Sequence, residues 1–220
     1  MKIVERLSSV LEIPAGYRLF RWLVGGASAW KIYLAEYVQP APGDRILDLG
    51  CGPADVLDFL PAVSYTGLDI SPEYIRSAKE RFGSRGRFLC GDVGSATIEK
   101  ERGLFDLVLA TGVVHHLDDA QAACLFDLAR RVLRPTGRLI TYDGCYVSQQ
   151  SRLARWLLAR DRGKFVRTRE DYLRLASAHF AKVETHLRHD LLRLPYTHLI
   201  MRCFNQVPAA DRPGHSAPDL

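Results

Sequence analysis

Arg45-Ile-Leu-Asp-Leu-Gly-Cys-Gly-Pro-Ala-Asp-Val-Leu57 is the stretch that decides the fold. A short apolar run carries an acid, Asp48, and then come two glycines, Gly50 and Gly52, one residue apart. Such a segment is a buried strand that breaks into a tight turn, where bare backbone can approach a ligand. Seventeen residues beyond Gly52 a second apolar run, Tyr65-Thr-Gly-Leu-Asp-Ile70, carries another acid, Asp69, near its end. A carboxylate only accepts hydrogen bonds, and a ribose edge offers two hydroxyl donors. The two segments predict a site for an adenosine-type cofactor.

Outward from this stretch, strand and helix signals alternate. Strand-like runs fall at Arg45–Leu49, Tyr65–Ile70, Arg87–Cys90, Phe105–Ala110 and Gly137–Tyr142. Helical patterns lie between them, near Asp55–Leu60, Pro72–Phe82 and Ala120–Leu133. Ser71 and Pro72 suit the start of the second helix, Asp118 or Asp119 caps the third, and Pro135-Thr-Gly137 stops it. This alternation predicts a parallel sheet with helices on both faces. Before it, residues 1–38 read as one or two helices broken at Gly25-Gly26, and Pro40-Ala-Pro-Gly43 links them to the first strand. After it come two basic helical stretches, about 149–160 and 168–178. Two strand-like runs, Lys182–His189 and Thr197–Phe204, then form an antiparallel edge hairpin with a turn at Leu194-Pro195. Residues 205–220 are expected to be a disordered tail.

Composition narrows the function. The chain has 220 residues, 47% of them apolar, enough for one well-packed domain rather than two. Its net charge is +5. Between Arg152 and Arg174 eight Lys/Arg face three acids, an excess of five, so the rest of the chain is neutral on balance. An anionic partner or a membrane surface would meet this segment, and the modest total charge argues against nucleic acid. The five cysteines are scattered with no CxxC pair, which argues against a disulfide framework or a zinc site, and no metal is expected. The first residues, Met1-Lys-Ile-Val-Glu-Arg, do not read as a signal peptide, and no uncharged apolar run reaches the ~18 residues a spanning helix needs. A cytoplasmic location is the expectation.

A dinucleotide fingerprint would carry a glycine at the sixth position of Gly50-Cys-Gly-Pro-Ala-Asp55, but Asp55 puts an anion there instead. No Tyr is followed four residues later by Lys, as short-chain dehydrogenases require. A cofactor with ribose and adenine but no phosphate fits better.

At this point the chain resembles the class I S-adenosylmethionine-dependent methyltransferases of the small-molecule type that includes ubiquinone and menaquinone biosynthesis enzymes. Asp48-Leu-Gly50-Cys-Gly52 matches the glycine-rich first motif and Asp69 the ribose-binding acid. Cys90-Gly-Asp92-Val93 matches the acid that holds the adenine amino group. Phe105–Ala110 with Val114-His-His-Leu-Asp118, and Leu133-Arg-Pro-Thr-Gly-Arg-Leu139, match the fourth strand with its loop and the entry to the fifth. Ala54 departs from the pattern, since many members have a third glycine there; alanine fits if its φ is negative.

The resemblance implies a Rossmann-like seven-stranded, mostly parallel sheet with helices on both faces and an antiparallel edge hairpin. It implies S-adenosylmethionine as cofactor, S-adenosylhomocysteine as product, and a small-molecule acceptor that is phenolic, anionic or lipid-linked. Residues 1–40 become a helical lid over a domain at 41–204, with about 146–180 a basic insertion covering the acceptor. The implied cofactor residues are Asp48, Gly50, Cys51, Gly52, Asp69, Ile70, Asp92, Val93, Ala110, Thr111, His116 and Tyr17. Cys51 reads as a small packing residue lending its backbone N–H rather than as a nucleophile.

His115 is the candidate catalytic base. A His titrates near neutrality and can take a proton from an attacking phenol, hydroxyl or amine. Adjacent side chains project differently, so His115 and His116 do not form a metal pair. Tyr142 and Tyr196 are the candidate acceptor contacts. The alternatives are a non-catalytic methyltransferase-fold protein that binds cofactor or a partner, and a nucleic-acid methyltransferase; the latter lacks support because Ala110-Thr-Gly-Val is not the Asn/Asp-Pro-Pro-aromatic motif.

Overall fold

A computed structural model describes residues 26–92, 98, 100–160 and 163–206. The Tyr17 and Val93 assignments, most of the N-terminal lid and residues 207–220 lie outside the described residues. The strands are β1 Arg45–Leu49, β2 Ser64–Asp69, β3 Gly86–Cys90, β4 Phe105–Thr111, β5 Leu133–Tyr146, β6 Arg167–Thr168, β7 Lys182–Arg188 and β8 His198–Phe204. The helices are α1 Gly26–Tyr33, which runs on as a wider π turn over Leu34–Val38, α2 Pro72–Phe82, α3 Asp119–Val132, α4 Arg152–Ala159 and α5 Arg169–Ser177.

The main sheet runs in the order β3-β2-β1-β4-β5-β8-β7. The first five strands are parallel, and β8 and β7 close one edge antiparallel. β6 pairs two residues with the end of β5. The expected sheet is thus present with an added two-residue strand. The chain order reverses direction across β1 and β4, and in open α/β sheets ligands bind beyond the strand carboxyl ends at such a switch point.

The two cores follow from alternation along the strands. Leu47, Leu49, Val108 and Leu139 point to one face, under α3 and α5, with Phe126 and Tyr172. Ile46, Leu107, Leu109 and Ile140 point to the other, under α1 and α2, with Tyr33, Ile75 and Phe82. Burial on both faces is why the parallel strands read as unbroken apolar runs.

Local chemistry sets most boundaries. Ser71 accepts from the Tyr74 N–H and Pro72 fills the first turn of α2. Asp118 and Gln121 form a reciprocal capping box at α3. Three expectations need correction. The segment at Asp55 is a single 3-10 turn, Asp55–Asp58, not a helix. The helix α3 ends at Val132, and Pro135-Thr-Gly137 lies inside the longer β5, whose pairing with β4 shifts register between Phe105 and Leu107. The hairpin connection spans residues 189–197 rather than a tight turn at Leu194-Pro195.

Ala54 is also a correction. Its φ is +58 and its ψ 35, the left-handed conformation, although its side chain is fully buried. An L-residue there costs ~1–2 kcal/mol. The turn holds it: the Ala54 N–H donates to the Cys51 carbonyl, and the Ala54 carbonyl accepts from the Leu57 N–H, both at 3.0 Å. The position keeps a glycine backbone with an alanine side chain. Replacement by glycine relieves the strain but forfeits a buried methyl worth ~0.8 kcal/mol and loosens the unfolded chain by ~0.4–1 kcal/mol. Ala54→Gly is therefore expected to shift unfolding stability by less than ~1 kcal/mol in denaturant titration, whereas Ala54→Val, β-branched at positive φ, destabilises by more than that.

Candidate active site

The turn after β1 and the end of β2 are held as one unit. The Gly50 and Cys51 N–H groups both donate to the Leu68 carbonyl, at 2.8 and 3.0 Å. The Gly52 N–H donates to Asp69 Oδ2 at 2.8 Å, and the Ser71 N–H donates to Asp69 Oδ1 at 2.8 Å. Each Asp69 oxygen thus keeps one further lone pair for an incoming hydroxyl. The three turn amides are spent inside the protein, which corrects the expectation that Cys51 lends its N–H to a ligand.

Gly50 and Gly52 serve different needs. Both have positive φ, +69 and +55. A Cβ on Gly50 would stand 2.5 Å from Val113 Cγ2, so this glycine permits close packing with the loop after β4. A Cβ on Gly52 would meet nothing within 4 Å, so this glycine opens onto free space. The Cys51 side chain packs on Gly67, and burial, with Asp48 and Asp69 nearby, holds its thiol well above the ordinary range. A thiol kept protonated is no nucleophile.

Asp48 is 4% exposed and accepts from the Tyr65 hydroxyl at 2.7 Å. Burial pushes its pKa up to about 7, opposed by the Tyr65 bond and assisted by the negative charge of Asp69. Ile70 stands 73% exposed beside Asp69, an apolar side chain facing out with no core to fill. Asp92 follows β3 and is exposed. Asp55, expected as a bare anion, pairs with Arg81 at 2.5 Å, and Arg81 also bonds Asp58. The 3-10 turn Asp55–Asp58 is too short to supply the helix dipole that a diphosphate would need.

His115 sits in a second cluster, on the loop after β4. Its Nδ1 lies 2.8 Å from Asp143 Oδ1, and its backbone N–H donates to the same oxygen at 3.2 Å. Both side chains are buried, at 8% and 2% exposure. A carboxylate only accepts, so Nδ1 carries the proton and Nε2 is the basic nitrogen. Asp143 Oδ2 is buried with no hydrogen-bond partner among the described residues. His116 is exposed and its ring centroid lies 4.3 Å from that of His115. The rings are neighbours, yet no group of three metal-ligating side chains occurs among the described residues.

Aromatic rings gather at the carboxyl end of β5 and the start of β8. Tyr142 stacks on His198 at 4.5 Å, Tyr196 lies 4.6 Å from His198, and Tyr33 of α1 lies 5.3 Å from Tyr142. Thr111 Oγ1 donates to the Tyr33 hydroxyl at 3.3 Å, and Ala110 is buried within β4. Asp48, Asp69, Thr111 and Tyr142 all stand near the carboxyl ends of neighbouring parallel strands. An open polar groove of about 580 Å³, lined by Arg45, Ser64, Arg85 and Arg87, lies instead at the amino ends, away from these groups.

The insertion closes over His115. A Cβ on Gly163 would stand 1.9 Å from His115 Cδ2, and the Phe165 N–H donates to the His115 carbonyl at 2.9 Å. Arg167, 9% exposed, donates to the Val114, Leu117 and Phe165 carbonyls and to Asp119 at 2.7–3.1 Å. Sequence reading did not single out Arg167 or the His115–Asp143 pair. A signal for Asp143 was present: like Asp48 and Asp69, it is an acid near the end of a buried strand.

Known proteins show the same architecture. Residues 46–137 match the methyltransferase-domain family. A malonyl-[acyl-carrier protein] O-methyltransferase of Paenibacillus sp. is 33% identical over 104 residues, 44% of this chain and 37% of that protein. The chain spans between about a third and just under half of the length of the first curated relatives it matches. Phosphoethanolamine N-methyltransferase 2 of Haemonchus contortus, solved with S-adenosylhomocysteine, superposes with a TM-score of 0.70 at 14% identity over 91% of this chain and 61% of that one. Geranyl diphosphate C-methyltransferase of Streptomyces coelicolor superposes with a TM-score of 0.62 at 16% identity over 81% and 76%. At such identities the two structures establish the fold alone. Residues 46–137 are thus a methyltransferase domain, and the sheet that carries it has the Rossmann-like fold of the S-adenosylmethionine-dependent class I methyltransferases.

Proposed function

We propose that this protein methylates a small-molecule acceptor at an oxygen, nitrogen or carbon nucleophile, with His115 as base and Asp143 as its positioning partner. The observation that carries the reading is the buried 2.8 Å pairing of His115 Nδ1 with Asp143, on the loop that packs against Gly50 of the glycine turn. Base and cofactor cradle thereby share one end of the sheet.

The cradle suits S-adenosylmethionine. Asp69 retains acceptor capacity for two ribose hydroxyls, Ile70 offers an apolar face for adenine, and the space at Gly52 admits a ligand against bare backbone. Asp48, Ala110, Thr111, Asp92 and His116 complete the assigned surroundings. When bound, the cofactor supplies an activated methyl group on a positively charged sulfur. The protein's part is alignment, exclusion of water and removal of a proton from the acceptor. His115 Nε2 takes that proton, and Asp143 stabilises the resulting imidazolium. The insertion at Gly163 and Phe165 shields the pair from solvent. Tyr142 and Tyr196 form the acceptor wall, which favours a flat or unsaturated acceptor. The related malonyl-carrier enzyme adds support for an acidic acceptor.

Calorimetric titration with S-adenosylmethionine, S-adenosylhomocysteine and NAD tests the cofactor directly; binding of NAD alone would overturn it. Asp69→Ala is expected to weaken S-adenosylhomocysteine binding by ~1.5–3 kcal/mol, the scale of lost buried hydrogen bonds to a charged group. Unchanged affinity would falsify the ribose assignment. With an acceptor found by screening, His115→Ala should lower turnover by ~10²–10⁴ at nearly constant cofactor affinity. Asp143→Asn should lower it too, with its pH profile displaced.

Asp48 makes stability depend on pH. Its folded pKa, about 7, lies above the ordinary 3.8, so between these values the folded state holds a proton that the unfolded chain releases. Its contribution is full below about pH 4 and is lost as pH rises to about 7. Denaturant titrations across pH 4–8 are expected to show this decline, and Asp48→Asn to remove it.

A further inference from the structure

The basic stretch from Arg152 to Arg174 separates into two parts with different duties. Arg167 is buried and spends its donors on carbonyls and Asp119, while Arg174 pairs with Asp119 at 3.2 Å and Arg169 donates to Thr185. These cations hold the insertion to the domain. Arg152, Arg155, Arg160 and Lys164 form no ion pair among the described residues. Arg155 lies over the Tyr146 ring at 5.3 Å and Arg160 over Trp156 at 4.0 Å.

Helix α4 and its cap Arg160 present the three arginines beside apolar side chains that face away from the protein. Ala154 and Leu158 are buried inward, whereas Leu153 and Trp156 are 55% and 47% exposed. Leu153 and Trp156 stand three residues apart, on one outward face flanked by Arg152, Arg155 and Arg160. No acid occurs within the helix. Apolar side chains ringed by arginines that have no acidic partner among the described residues match the chemistry of an anionic bilayer surface.

We propose that the outward face of α4 docks on an anionic lipid bilayer, with Leu153 and Trp156 entering the headgroup region and the arginines meeting lipid phosphates. A lipid surface is favoured over an acidic protein because the face is a single convex helix: a bilayer deforms around Trp156, whereas a protein must supply a matching pocket. It is favoured over nucleic acid because aliphatic Leu153 gains nothing from a phosphate backbone. The placement has a consequence for the acceptor site. Leu158 Cδ2 stands 2.8 Å from the position of a Cβ on Gly144, the residue after Asp143. Docking therefore turns the end of β5, on which α4 packs, toward the bilayer, from which a lipid-soluble acceptor would reach the buried His115–Asp143 pair. That consequence rests on the methyl-transfer reading; the membrane binding does not.

The experiment is flotation of the full chain with vesicles of phosphatidylcholine alone and of phosphatidylcholine with phosphatidylglycerol, at low and high salt. Binding is expected only to the anionic vesicles, and to fall as salt screens the charges. The combined change Arg152→Gln, Arg155→Gln and Arg160→Gln should lower the partition coefficient about 100-fold, each cation contributing about fivefold. Trp156→Ala should lower it as well, and brominated lipid should quench the fluorescence of wild type more than that of Trp156→Phe. All these positions are solvent-facing, and an unchanged melting temperature shows that each variant is folded. Absence of flotation with anionic vesicles, equal flotation with neutral ones, or folded variants that float like wild type would each overturn the proposal. Binding of an RNA oligonucleotide or an acidic carrier protein in place of vesicles would overturn it in favour of that partner. S-adenosylhomocysteine titration of the same samples reports on the methyl-transfer reading separately.

Discussion

The carboxylate of Asp69 is the joint on which the cofactor end of this protein depends. One oxygen takes the Gly52 N–H and the other the Ser71 N–H, each at 2.8 Å. It therefore ties the glycine turn of β1 to the first turn of α2 through the end of β2. Without it the Gly52 amide would have no acceptor in the turn, and α2 would lose part of its anchorage. The bond to a charged acceptor is of the stronger kind. Because the turn is tied down, Gly50 can stand close under Val113, and the loop carrying His115 settles directly over it.

Charge at this end of the sheet is handled by burial and pairing in different proportions. Asp48 is buried with a single hydroxyl donor and keeps its proton to near neutrality. Asp69 is satisfied by two amides. Asp143 is held by His115 on one oxygen only. Three acids near strand ends thus occupy three environments, and environment rather than residue type separates their roles.

The segment after β5 has two unlike faces. Inward, Arg167 reaches the loop Val114–Asp119 and fastens the segment above His115. Outward, α4 carries arginines with no ion pair among the described residues. A helix whose inner face needs only Ala154 and Leu158 is free to place Leu153 and Trp156 in solvent. Leu153 and the outer part of Trp156 leave apolar surface in solvent that adds little to the packing of this helix.

The sequence by itself determined the sheet, the alternating helices and the edge hairpin. Their signals are local: short apolar runs for the strands, caps such as Ser71 and Asp118, and acids near the ends of those runs. It also marked Asp48 and Asp69 as acids near strand ends and His115 as the candidate base on the loop after the fourth strand. Only the tertiary structure decided the pairing of His115 with Asp143 and the reach of Arg167 to Asp119, because both join residues far apart in the chain. It alone decided the positive φ of Ala54, which the packed turn imposes against the residue's own preference. It likewise divided one run of arginines into an inward clamp and an outward face, since composition records charge while packing decides which charges find a partner.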